Sequence, residues 1–225
     1  MLSRILTFIL SPFAGPIRYG TLKLMKAMRQ PDDRRPIIAT SDHILNELVL
    51  PSIFQTFKKG EFRNLANFKK LPVVEHDRIF NELEVAGVYL AIFCLRLMKP
   101  LVRSEDYHFW QDVEFHLPKQ LQKILINYGV DGASAKLLKE LTEMRGDEYE
   151  ELAEKVLEVN DGEKEEFKNL PSELKDMAAF IQATAVVTTD HIRRGKINQG
   201  DSLIKYLVKW LVFLQARIAK FVRNL

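Results

Sequence analysis

A single cysteine, Cys94, in 225 residues rules out an intramolecular disulfide and any thiolate cluster for zinc or iron–sulfur. Set in VYLAIFCLRL, it reads as a small core residue. Long apolar runs are missing as well. Val85 to Leu95 offers eleven uncharged residues between Glu84 and Arg96, whereas a membrane-spanning helix takes about 20. ILTFIL, near the start, is too short for a secretory core, and Pro12 and Pro16 interrupt the segment after it. The expectation is a cytoplasmic protein with no transmembrane helix. Period-two alternation is scarce, which excludes a substantial sheet, and no repeat recurs at a fixed spacing, which disfavours a solenoid. G-x-S-x-G, G-x-x-x-x-G-K-[ST] and a strand-borne G-x-G-x-x-G are all lacking, so several common enzyme classes lose their usual signature.

What remains is 47% hydrophobic and 28% charged, an ordinary globular balance. Glycine and proline fall mostly between periodic segments, and no low-complexity linker exceeds QPDDRRP at Gln30 to Pro36. These patterns predict an all-α fold, a single irregular bundle of about seven to nine helices. Residues 1–30 form a basic amphipathic N-terminal arm and residues 31–225 the bundle, which ends in a basic amphipathic helix over 202–225.

Local signals place the elements. A helix is expected from Pro16 to about Met28, and another capped by Thr40 or Ser41, kinked or divided at Pro51 before Gly60. The longest runs from Val73 to about Lys99, with Glu75 and Asp77 early and Arg96 and Lys99 late, as the helix dipole favours. Its middle is apolar nearly all round, the pattern of a central helix. Ser104 caps the next, which meets Pro118 and resumes to Tyr128. Ala133–Met144 and Asp147–Val159 are expected as two helices parted by a turn at the RGD tripeptide, Arg145 to Asp147. Ser172–Arg194 follows an acidic loop at NDGEKEE, and Asp201 or Ser202 caps the last helix.

Charge is divided along the chain. Residues 1–30 hold five cations and no acid, residues 203–225 again five and none, and the middle is net acidic. On a helical wheel, Lys205, Lys209, Arg217, Lys220 and Arg223 share one arc of the last helix, opposite Leu203, Leu207, Trp210, Leu211, Leu214, Ile218 and Phe221. In the arm, Arg18, Lys23, Lys26 and Arg29 oppose Ile17, Leu24, Met25 and Met28. Each apolar arc closes the bundle with its cations as a solvated face, or lies on an anionic membrane surface, or meets a protein partner. Nucleic acid ranks last, because phosphate contacts leave the bulky apolar arc unexplained.

One histidine stripe invites a metal. His108, Asp112 and His116 recur every four residues, with Glu105 three before His108, so the four share a helix face. Imidazole and carboxylate at such spacing suit a divalent metal such as zinc or iron. A di-iron centre needs a second Glu-x-x-His on another helix, and the sequence has none. His43, His76 and His191 sit beside acids or arginines at helix ends and read as surface or capping residues.

VYLAIFCLRLMK at 88–99 and GVDGASAKLLKELTEM at 129–144 resemble helices of the ubiquinol-cytochrome c chaperone family, membrane-associated assembly factors made mostly of helices. The resemblance implies an assembly or interaction role and transfers no functional residue. The functional expectation is a non-catalytic binding or assembly protein, held at the inner membrane face or on a membrane partner by Arg18, Lys23, Lys26, Arg29, Lys205, Lys209, Trp210, Arg217, Lys220, Phe221 and Arg223. A helical metalloprotein or enzyme built on Glu105, His108, Asp112 and His116 is the alternative.

Overall fold

The computed structural model describes residues 37–98, 106–163, 169–198 and 200–224. Its elements in chain order are α1 (Ile37–His43), a π-helical turn (Ile44–Val49), α2 (Leu50–Lys58), α3 (Gly60–Leu65), a 3-10 turn (Phe68–Lys70), α4 (Val73–Met98), α5 (Tyr107–Asn127), α6 (Gly132–Glu163), α7 (Ser172–Arg193) and α8 (Ser202–Asn224). The described residues are all helix and connection, as the periodicity requires. The N-terminal arm, Lys99, the Ser104 cap and residues 164–166 of the acidic loop lie outside them, while residues 160–163 of that loop continue α6.

Helix α4 is the axis of the bundle. Every residue from Glu82 to Ile92 is buried, because a helix apolar on all sides lowers its free energy only where neighbours surround it. Those neighbours are α2, α5, α6, α7 and α8, which also touch one another in a ring closed through α1 and the π turn. Aromatic rings fill the layers: Phe93 stacks on Phe180 of α7 at 3.7 Å between centroids, and Phe57 meets both Phe68 and Phe80 edge-on.

The connections are held by cations placed where helices end. Arg78 donates to the carbonyls of His191 (2.7 Å) and Ile192 (3.1 Å), satisfying the C-terminus of α7. Arg193 bonds the Leu65 carbonyl at 2.7 Å and the Asp201 carboxylate at 2.9 Å. Asp201 in turn caps α8 through the Leu203 amide at 2.9 Å, as expected. Burial opposes ionisation of Asp201, but Arg193 and that amide outweigh it and hold the carboxyl below its usual range.

The three helix-end histidines do more than cap. His43 stacks on Phe221. His76 stacks on Phe68 and donates to its carbonyl at 3.1 Å. His191 pairs with Glu148 at 2.8 Å, and Glu148 also receives Arg145.

Three boundaries differ from expectation, each for a physical reason. Thr40 and Ser41 do not cap a helix. Both are buried inside α1, where Ser41 returns its hydroxyl to the Ile37 carbonyl at 2.9 Å. Pro51 does not divide its helix either. The chain widens into the π turn just before it, and the Glu47 carbonyl, which an α-helix would pair with the amide that proline lacks, accepts instead from Arg217 of α8 at 3.0 Å. The RGD tripeptide is no turn. One helix, α6, runs through it, with Arg145 paired to Glu82 and Glu148. Pro118 is likewise carried inside α5, where Trp110, Val113, Leu117 and Leu121 form an unbroken buried stripe.

Candidate functional site

Helix α8 decides the fate of most of the predicted contact residues. Its apolar arc is core: Leu203, Leu207, Leu211, Leu214 and Ile218 are fully buried. Trp210, expected at an interface, is buried too. It is 7% exposed, and its indole Nε1 donates to the Ser52 hydroxyl of α2 at 2.9 Å. Phe221, assigned to the same interface, is half-buried against the His43 ring at 4.5 Å. These corrections share one cause. A periodic apolar arc signals that something covers it, and here α4, α7, α3 and the π turn do so.

The cations divide into two groups. Arg217 is half-buried and committed to the Glu47 carbonyl, and Arg223 donates to the Ala219 carbonyl of its own helix at 3.2 Å. Lys205, Lys209 and Lys220 are exposed on the outward arc. Phe213 stands among them with 59% of its surface in solvent. Sequence reasoning missed Phe213, although the same wheel sets it in the cationic arc. No acid occurs between residues 203 and 225, so the outward arc of α8 is a cationic surface with one aromatic ring at its centre.

Along this arc a cavity of about 240 Å3 opens between α2 and α8. Lys59, Glu61 and Gln55 border it on one side, and Lys209, Tyr206 and Phe213 on the other. Ser52, Thr56 and Trp210 also line it, and each of them is nearly inaccessible as a whole residue. Lys59 and Thr56 carry no motif that a sequence reading would single out.

The histidine stripe stands apart from this region. On α5, His108 and Asp112 are exposed, while half-buried His116 turns its Nδ1–H back to the Asp112 carbonyl at 2.8 Å. Glu105 lies outside the described residues, as do Arg18, Lys23, Lys26 and Arg29. Among the described residues, no three His, Cys, Asp or Glu side chains converge as a metal site would require. No described helix is long and apolar enough to cross a membrane. Compared with known proteins, the chain matches no family model, no curated protein and no solved structure, so its function rests on the geometry of α8 and its neighbours.

Proposed function

We propose that this is a non-catalytic helical binding or assembly protein that docks reversibly on an anionic membrane surface at the cytoplasmic face, using the outward arc of α8. The observation that carries the reading is the exposed trio Lys205, Lys209 and Lys220 around Phe213, on a helix that carries no acid of its own. The apolar arc of α8 faces the core, so the contact is adsorption rather than insertion of a helix face. Each lysine near an anionic bilayer contributes about 1 kcal/mol, and three give about 3 kcal/mol. Phe213 adds the part of a buried aromatic's roughly 1.5–3 kcal/mol that its position lets it bury. Such binding is weak and fades with salt. Stable residence calls for a second signal, and the five cations of the N-terminal arm supply the charge for one.

Co-sedimentation with phosphatidylcholine vesicles, with and without phosphatidylglycerol, tests this. The protein pellets only with the anionic vesicles, and added salt reverses it. Changing Lys205, Lys209 and Lys220 together to Gln lowers the partition constant by up to about 100-fold, the equivalent of their summed attraction. Equal and negligible pelleting with both vesicle types removes the membrane reading.

A further inference from the structure

The cavity between α2 and α8 is built more specifically than a cationic surface needs. Ser52, Thr56 and Lys59 lie four and three residues apart, so they line one side of α2 and its C-terminal end. Tyr206, Trp210 and Phe213 repeat that spacing on α8 and face them across the opening. The Trp210 indole closes the floor by donating to Ser52. Thr56 is only 3% exposed as a residue, and its side chain borders the cavity.

The charges narrow the ligand. Lys59 and Lys209 bring two cations to the rim and Glu61 one carboxylate. That balance suits a monoanion better than a dianion. A carboxylate at the rim also accepts from the alcohol hydroxyls of an organic headgroup. The volume falls below the roughly 300–1,000 Å3 typical of drug-sized sites, so it admits a headgroup but not acyl chains. Those chains would leave past Phe213, which is exposed at the mouth and continuous with the surface that meets the bilayer.

We propose that this cavity binds the phosphodiester headgroup of an anionic glycerophospholipid that carries hydroxyls. The phosphate sits between Lys59 and Lys209, Thr56 donates to it, and Glu61 and Gln55 take the headgroup hydroxyls. This rests on the membrane reading of α8 and converts a general attraction into a selective one.

The test is a titration of the full chain with dihexanoyl phosphatidylglycerol below its micelle concentration, read by the Trp210 indole N–H resonance. The Trp110 indole is buried on α5 and serves as an internal reference for folding. The Trp210 signal is expected to shift saturably. Lys59→Gln weakens binding about tenfold, as loss of a charge-assisted hydrogen bond does, and Thr56→Val about fivefold, each with the Trp110 signal unmoved.

Equal shifts with dihexanoyl phosphatidylcholine, or with inorganic phosphate alone, overturn the assignment, as does insensitivity to both cavity variants. Vesicle pelleting that needs Lys205 and Lys220 but ignores Thr56→Val overturns the cavity and leaves the surface reading standing. Saturable short-chain binding without vesicle pelleting does the reverse.

Discussion

Gly146→Ala destabilises this protein by about 2–4 kcal/mol, although helix propensity alone predicts the opposite sign. Alanine in place of an interior helical glycine ordinarily contributes about 1 kcal/mol of stabilisation. At this position the new methyl carbon would lie 2.0 Å from Tyr89 Cε2 and 2.1 Å from Cζ, inside the ring of the central helix. Tyr89 has nowhere to withdraw. It is 8% exposed, its hydroxyl donates to Glu150 at 2.6 Å, and Tyr149 and Phe180 stand beside it at 6.0 and 6.1 Å between centroids. Overpacking a close-packed core costs about 1–3 kcal/mol, and vacating a buried aromatic position about 3–5 kcal/mol, so sterics outweigh propensity. Urea unfolding reads the result as a lower midpoint with an unchanged slope. Tyr89→Leu weakens the parent but relieves the alanine variant, giving a favourable coupling in the double-mutant cycle. A Gly146→Ala protein more stable than the parent would show that α4 and α6 do not approach this closely.

The same contact explains why RGD reads as a turn and is none. The buried stripe of α6, Ala135, Leu138, Thr142, Tyr149, Ala153 and Val156, keeps helical phase through the tripeptide, so the periodic signal is present. Glycine looks like punctuation because its actual requirement comes from Tyr89, on another helix and far away in sequence. The Pro51 site has the same character: the Glu47 carbonyl left without its amide is satisfied by Arg217, 170 positions away. Signals that act within one helix are legible, such as the all-round apolar middle of α4 and the Asp201 cap. The terminal arc is half legible. Its spacing announces burial but not the cover, because the partner of Trp210 is Ser52, 158 positions earlier. The cavity is not legible at all, since it exists only where Thr56 and Phe213 meet across two helices.

Glu84 makes stability fall as pH rises from about 5 to 8. It lies in the all-buried middle of α4 at 2% exposure, and Oε1 has no hydrogen-bond partner. Burial alone pushes its carboxyl from 4.5 up to about 7. Below the unfolded value both states hold the proton, and the residue imposes no ionisation cost. Between the two values the unfolded chain releases the proton while the folded chain keeps it, so unfolding gains with each step in pH. Above about 7 both are ionised, and the folded state carries the full penalty, about 3 kcal/mol.

Asp201 and Glu75 act in the opposite sense. Their folded carboxyls are held low, Glu75 by Arg194 and Arg78, so the stability they supply is lost only as pH falls through the acid range below Glu84's window. Glu84→Met isolates the effect, because methionine fills the volume without a charge to desolvate. Near pH 5 the variant and parent unfold at similar temperatures. At pH 8 the variant is more stable by about 2–3 kcal/mol, with roughly 2–4 °C of melting temperature for each kcal/mol in a chain of this size. The difference between the two curves cancels the contribution of every group common to both proteins. Parallel curves from pH 5 to 8 would mean that Glu84 is ionised at neutral pH with a partner or water at its carboxylate, and that the middle of α4 is not dry.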